Sequence, residues 1–198
     1  MSSTGNFKWE YVLTELVYRR FSKPLAKFLA RFNIHPNHIT ILAAIVGIVP
    51  AFLIVMGKFY EAVVVILVSQ ILDCTDGDLA RLTGQVTRKG AYLDRVFDRF
   101  VDAALITGLV ALNPVKFWLV GMAALFFSLS VSITRAMAEA EGAICKVGIG
   151  GRDTRLFIVM IGLLLGRIYE TLIILAVLGF ITTTHRIIHT IKQLNSTS

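Results

Sequence analysis

Carboxylates set between apolar runs of membrane-crossing quality leave this chain few ways to fold. The run VVVILVSQIL leads into DCTDGDLARLTGQVTRKGAYLDRVFD (73–98), and AALITGLVAL follows close behind. Helical spacing puts Asp73, Asp76, Gly77, Ala80 and Arg81 at i, i+3, i+4, i+7 and i+8, on one stripe. After a short polar connection, Leu82 to Lys89, a second stripe carries Gly90, Asp94 and Asp98 at i, i+4 and i+8. Two helices joined by so short a link are expected to lie antiparallel. If the stripes face each other, four carboxylates converge, and like charges share a low-dielectric site only when cations neutralise them. An acidic helix face is ordinarily solvated surface; the apolar flanks argue against that here.

Oxygen ligands in pairs suit Mg²⁺ or Mn²⁺, and two such ions about 3.5–4 Å apart are the usual clamp for phosphoryl chemistry. Either one carboxylate is the base toward an attacking hydroxyl or the metal lowers that hydroxyl's pKa. Gly77, Ala80 and Gly90 leave room for a ligand or for the partner helix. Arg81, one turn past Asp76, is placed to hold a phosphate oxygen. Further up the chain, NIHPNHITIL puts Pro36 at a helix start. The amides of Asn37, His38 and Ile39 are then free for an anion or a nucleobase edge, an ordinary N-cap being the plainer alternative.

The rest of the chain says where such a site would sit. Its 198 residues suit one domain. A mean hydropathy of +0.72 and a charged fraction of only 17% predict an all-α integral membrane protein. Residues 1–35 form the first region. There Phe7, Trp9, Tyr11, Val12, Leu16 and Leu25 interleave with Arg19, Arg20, Lys23, Lys27 and Arg31, as in an amphipathic interfacial helix broken or kinked at Pro24. Residues 36–192 form a bundle of six transmembrane helices. The expected spans are His38 to Met56, Phe59 to Arg81, Lys89 to Asn113-Pro114, Phe117 to Glu139, Asp153 to Gly166 and Ile168 to Ile188. One longer tilted span is the alternative for the last two.

With both termini on one side, that side holds all 20 Lys and Arg residues except Lys58, Lys116 and Arg167. This asymmetry orients termini and acidic motif toward the cytoplasm, in the cell membrane. The net charge of +7 resides in the connections, which points to anionic headgroups and topology and away from nucleic acid. Cys74 and Cys145 are expected as free thiols in a reducing compartment. The basic, amphipathic N-terminus lacks the uninterrupted apolar run of a cleavable signal peptide.

The unbroken pattern D-x2-D-G-x2-A-R-x8-G-x3-D-x3-D, from Asp73 to Asp98, resembles the signature of the CDP-alcohol phosphotransferases, membrane enzymes that make phospholipids and related phosphodiesters. The resemblance implies transfer of a substituted phosphoryl group from a CDP-alcohol to an acceptor hydroxyl, with release of CMP. It implies two Mg²⁺ or Mn²⁺ ions and a homodimer. Asp73, Asp76 and Asp94 would be metal ligands, and Asp98 the general base that also touches a metal. The loop from Pro36 to Ile39 would lie against the CDP moiety, with Gly77, Arg81 and Thr87 completing the pocket beside Ala80 and Gly90.

A basic set lies at the expected cytoplasmic ends of the last three spans. TRAMAEAEG carries Arg135, GIGGRDTRLF carries Arg152 and Arg155, and HRIIH carries Arg186. Singly, these are positive-inside charges. Together they resemble the part of the phosphatidylinositol-phosphate synthases that holds the phosphate of inositol phosphate, a role the planar Arg fork suits. Met137 departs from that pattern, standing where those enzymes carry a second basic residue. The GRDTRLF run also resembles the archaeal synthases of di-inositol phosphate, which use CDP-inositol. The expected donor is therefore CDP-diacylglycerol or CDP-archaeol and the acceptor inositol phosphate. CDP-inositol is the alternative donor; glycerol phosphate and serine are the alternative acceptors.

Other classes compete less well. A membrane prenyltransferase also pairs aspartates with Mg²⁺, but in two halves of a longer chain. A cation transporter gains nothing from Gly77, Ala80 and Arg81 on an acidic stripe. Asp102, one turn beyond Asp98, is expected as a structural hydrogen-bond partner. Asp78, about 100° round the helix from Gly77, is expected at the surface.

Overall fold

Turn chemistry punctuates the chain where the periodicity breaks. The computed structural model describes residues 18–196, which form seven α-helices and no strand. These are α1 (Arg19–Ala30), α2 (Pro36–Val55), α3 (Phe59–Leu82), α4 (Arg88–Ala111), α5 (Pro114–Ala140), α6 (Arg152–Leu164) and α7 (Ile168–Asn195). Phe7, Trp9, Tyr11, Val12 and Leu16 lie outside the described residues.

Helix starts follow from side-chain caps. Thr87 accepts the Gly90 N–H at 3.0 Å, and Asn113 accepts the Lys116 N–H at 3.2 Å ahead of Pro114. Helix ends follow from glycines at positive φ. Gly84 (φ 69°) closes α3, with the Gln85 N–H reaching back to the Ala80 carbonyl at 2.9 Å. Gly166 (φ 65°) does the same after α6, where the Arg167 N–H meets the Gly162 carbonyl at 2.9 Å. That reversal makes two helices of the last third and rules out the single longer one.

Two local expectations are corrected. α1 runs through Pro24 without a break. The helix loses the bond that residue 24 would donate to the Arg20 carbonyl, and the burial of Ser22 and Ala26 against α3 holds it together. Asp78 is buried, not at the surface. α1 packs on α3, and its Ser22 hydroxyl donates to Asp78 Oδ2 at 2.6 Å.

α2 packs on both α3 and α4, and α5 pairs with α7. α6 packs on α3 and α7. Ala44, Ile66, Leu105, Ala124, Leu156 and Leu172 belong to one apolar core that links α2 through α7. At Gly108 a Cβ would meet the Ala51 backbone at 2.8–2.9 Å, so α2 and α4 approach as closely as a missing side chain permits. Large apolar side chains also cover the outside, among them Phe52, Trp118, Phe126 and Phe180. Such a surface suits lipid, not water.

α2, α5 and α7 are each long and apolar enough to cross a membrane. The described residues are thus those of an all-helical membrane protein. α3 and α4, of 24 residues each, have the length but carry the carboxylates. α6 has 13 residues and extends about 20 Å, short of a hydrocarbon core about 30 Å thick.

Candidate active site

Because Gly84 and the Thr87 cap reverse the chain sharply, the two acidic stripes do face each other. Asp73 from α3 and Asp94 and Asp98 from α4 each offer a carboxylate oxygen, and the three oxygens lie within 4.8 Å of one another. Asp76, one turn along α3 from Asp73, is 7% exposed, and its Oδ2 is buried with no hydrogen-bond partner. Three of the four expected carboxylates therefore meet in one cluster, and the fourth points an unsatisfied oxygen into the interior beside it. A hard, oxygen-only donor set with an orphaned oxygen fits a divalent cation. Asp73, Asp94 and Asp98 would hold it, together with Asp76.

Arg152, at the first position of α6, reaches this cluster because α6 packs on α3. Its Nη1 donates to Asp73 Oδ2 at 2.9 Å and lies 2.8 Å from Asp98 Oδ1. Its Nε stands 3.8 Å from Asp102 Oδ1 and is buried without a hydrogen-bond partner. Arg155, one turn on, is committed elsewhere: Nη2 donates to Asp102 Oδ2 at 2.5 Å and Nη1 to the Gly150 carbonyl at 2.8 Å. Arg186 on α7 donates from Nε to the Val147 carbonyl at 2.9 Å and from Nη1 to the Val131 carbonyl. Arg135 on α5 is exposed and pairs with Glu139 at 2.7 Å.

These four arginines, scattered from position 135 to 186, line one cavity of about 410 Å³, and Asp98 lies in the same wall. Arg95 and Arg99 line it too, and sequence reasoning passed over both. Their signal was present: each follows a motif aspartate by one residue, at i, i+4 on α4. Arg99 also donates from Nη1 to Ser132 of α5, which ties the two helices at the cavity wall.

The start of α2 is less open than expected. His35 caps α2, and its Nδ1 accepts the Asn37 N–H at 3.2 Å; the His38 N–H bonds the His35 carbonyl at 3.0 Å. The amides of Asn37 and His38 are therefore spent on the cap, and the plainer alternative holds for them. What remains there is a cradle. A Cβ on Gly90 would meet Asn37 Oδ1 at 3.0 Å and Thr87 Oγ1 at 3.1 Å, so α2 and α4 close on each other at that point. Gly77 lies beneath the Arg81 guanidinium, which donates to Asp78 Oδ1 at 2.8 Å.

Ahead of α1, Tyr18 lies near the start of α6. Tyr18 is 2% exposed, and burial pushes its phenol up to about 12, with the Asp153 carboxylate adding to the shift. Cys74 and Cys145 are both free. Chemically, the arrangement is a carboxylate cluster and an arginine-lined cavity that share Asp98 and meet at Arg152.

Residues 33–184 match the family model of the CDP-alcohol phosphatidyltransferases. The chain is similar to an archaetidylinositol phosphate synthase of Pyrococcus horikoshii, 32% identical over 86% of this chain and 90% of that one. Among solved structures it is similar to the phosphatidylinositol phosphate synthase of Mycobacterium tuberculosis with CDP-DAG bound, at a TM-score of 0.79 and 30% identity over 86% of this chain and 93% of that one. The same enzyme in complex with manganese and citrate gives a TM-score of 0.78, over 85% of this chain and 88% of that one.

Proposed function

The chain belongs to the CDP-alcohol phosphatidyltransferase family, and from that premise we propose that it joins a CDP-alcohol lipid, CDP-diacylglycerol or CDP-archaeol, to inositol phosphate and releases CMP. One observation carries the acceptor: the cavity beside the aspartate cluster is walled by Arg135, Arg152, Arg155 and Arg186 together with Asp98. An uncharged alcohol has no need of so many cationic forks, whereas a phosphate dianion does.

In this reading Arg135 and Arg152 hold the acceptor phosphate, Arg155 and Arg186 add charge to the wall from their fixed positions, and one ring hydroxyl points at Asp98. Asp98 takes the hydroxyl proton as the oxygen attacks the phosphorus that bears the lipid alcohol. The new P–O bond forms as the bond to the bridging oxygen breaks, and CMP leaves with that oxygen. Pro36, Asn37, His38 and Ile39 with Gly77, Ala80, Arg81, Thr87 and Gly90 surround the CDP moiety. Two Mg²⁺ or Mn²⁺ ions, when bound at Asp73, Asp76, Asp94 and Asp98, supply charge neutralisation on the diphosphate.

In this reading α2 to α7 are the six spans of a homodimer in the cytoplasmic membrane, the short α6 crossing where the bilayer thins locally, with α1 on the headgroup layer and the site facing the cytoplasm. Phe21, Phe28 and Phe32, exposed on or just after α1, support the interfacial placement. Cysteines at positions 58, 116 and 167 should label from outside intact cells, and one at position 192 should not. Outside labelling at 192 would leave five spans.

The reaction itself is tested by incubating the purified chain with each labelled donor, including CDP-inositol, and each candidate acceptor. CMP with a lipid-linked inositol phosphate is the expected pair of products. Equal use of free inositol, glycerol or serine overturns the acceptor assignment.

A further inference from the structure

We propose that Arg152 is a resident counter-cation of the aspartate cluster, displaced into the adjoining cavity by a divalent ion, so that cation and anion binding strengthen each other. Its Nη1 sits on Asp73 Oδ2 at 2.9 Å and on Asp98 Oδ1 at 2.8 Å, two of the three carboxylates in the cluster. A divalent ion that takes those oxygens cannot leave a guanidinium nitrogen against them, because two cations would then be in contact.

Arg152 has somewhere to go. It already lines the cavity, and its buried Nε holds no hydrogen bond that a move would break. Arg155 cannot take the same part, since its two terminal nitrogens are bound to Asp102 and to the Gly150 carbonyl. Moving Arg152 off the carboxylates brings its charge into a cavity that Arg95, Arg99 and Arg135 also line, which becomes favourable when a dianion is there. Linkage then works in both directions: an anion in the cavity draws Arg152 off the aspartates and raises cation affinity by the factor that the cation raises anion affinity. The proposal rests on the cation site assigned above and adds a positioning role for Arg152.

Mn²⁺ binding to the full chain in detergent, stripped of metal, is read from the spin resonance of the free ion. Titrations are run with and without sulfate, a dianion that complexes Mn²⁺ weakly, at constant ionic strength. In the wild type, sulfate should tighten Mn²⁺ binding by about tenfold, within the usual range of such couplings. Arg152→Gln should bind Mn²⁺ about tenfold more tightly than the wild type without sulfate, and sulfate should no longer change it. Its thermal midpoint should fall without metal and recover with Mn²⁺, whereas a purely structural arginine would lower both.

Arg152→Lys should retain part of the coupling. Mn²⁺ binding in Arg152→Gln that is equal to or weaker than wild type overturns the proposal, as does a sulfate effect that survives the substitution. Should Arg152→Gln fail to fold, the wild type decides alone, since an absent sulfate effect refutes the coupling. Wild type that binds no Mn²⁺ at all overturns the cation site as well, so the two failures are distinct.

Discussion

Asp94→Asn is expected to slow CMP release by about a thousandfold or more, because it removes a charge from the cation site and weakens stabilisation of the charge that develops on the leaving group. Asp73→Asn and Asp76→Asn should act in the same direction, the first through the 4.8 Å cluster and the second through the buried oxygen beside it. Asp98→Asn should differ in kind. Asp98 is in both the cluster and the cavity wall, so its loss should reduce turnover far more than CDP-alcohol binding, as for a base that acts in the transition state. Product release with each labelled donor, paired with donor binding, separates the cases. Full activity in excess chelator would end the metal reading, and donor affinity that falls as far as the rate would make Asp98 mainly a ligand.

Arg155→Ala is expected to cost about 3–5 kcal/mol of stability, since it leaves the Asp102 carboxylate buried without its partner. Thermal unfolding in detergent measures this, and Asp102→Asn combined with Arg155→Gln should recover most of it, because no unpaired charge then remains. A wild-type midpoint in Arg155→Ala would show that the pair does not hold α4 to α6. Arg135→Ala gives the contrast. Its exposed pair with Glu139 is worth little, so stability should hold. The KM for a phosphorylated acceptor should rise about tenfold to hundredfold, the cost of one lost Arg–phosphate contact. An unchanged acceptor KM would reduce Arg135 to a topology-setting charge. Substitution at Arg155 confounds fold with binding; at Arg135 the two separate.

Much of the fold was legible because its signals are local. The second span was expected from Phe59 to Arg81, and α3 runs Phe59–Leu82; the third was expected from Lys89, and α4 begins at Arg88. Such limits depend on caps and on glycines such as Gly84 and Gly166, whose partners lie within a few residues. What escaped notice depended on packing. Asp78 reads as surface by its angle on α3, but the partner that buries it, Ser22, is 56 positions away. The free amides after Pro36 were an inference from helix geometry alone, and the His35 side chain consumes the first of them.

The helices, the membrane as their solvent and the two acidic stripes can all be read along the chain. Periodicity, hydropathy and turn residues are properties of neighbours along the chain. The antiparallel meeting of the stripes was also within reach, since a five-residue turn between long helices leaves few other arrangements. How the four arginines divide is a product of packing. Arg155 is buried on Asp102, Arg186 is bound to loop and helix carbonyls, Arg135 is at the rim, and Arg152 reaches across 79 positions to Asp73. No local pattern distinguishes one arginine from another at a helix end. Their roles follow from which carboxylate the packing of α6 and α7 brings within about 3 Å of each, and charge-assisted contacts are decided at that range.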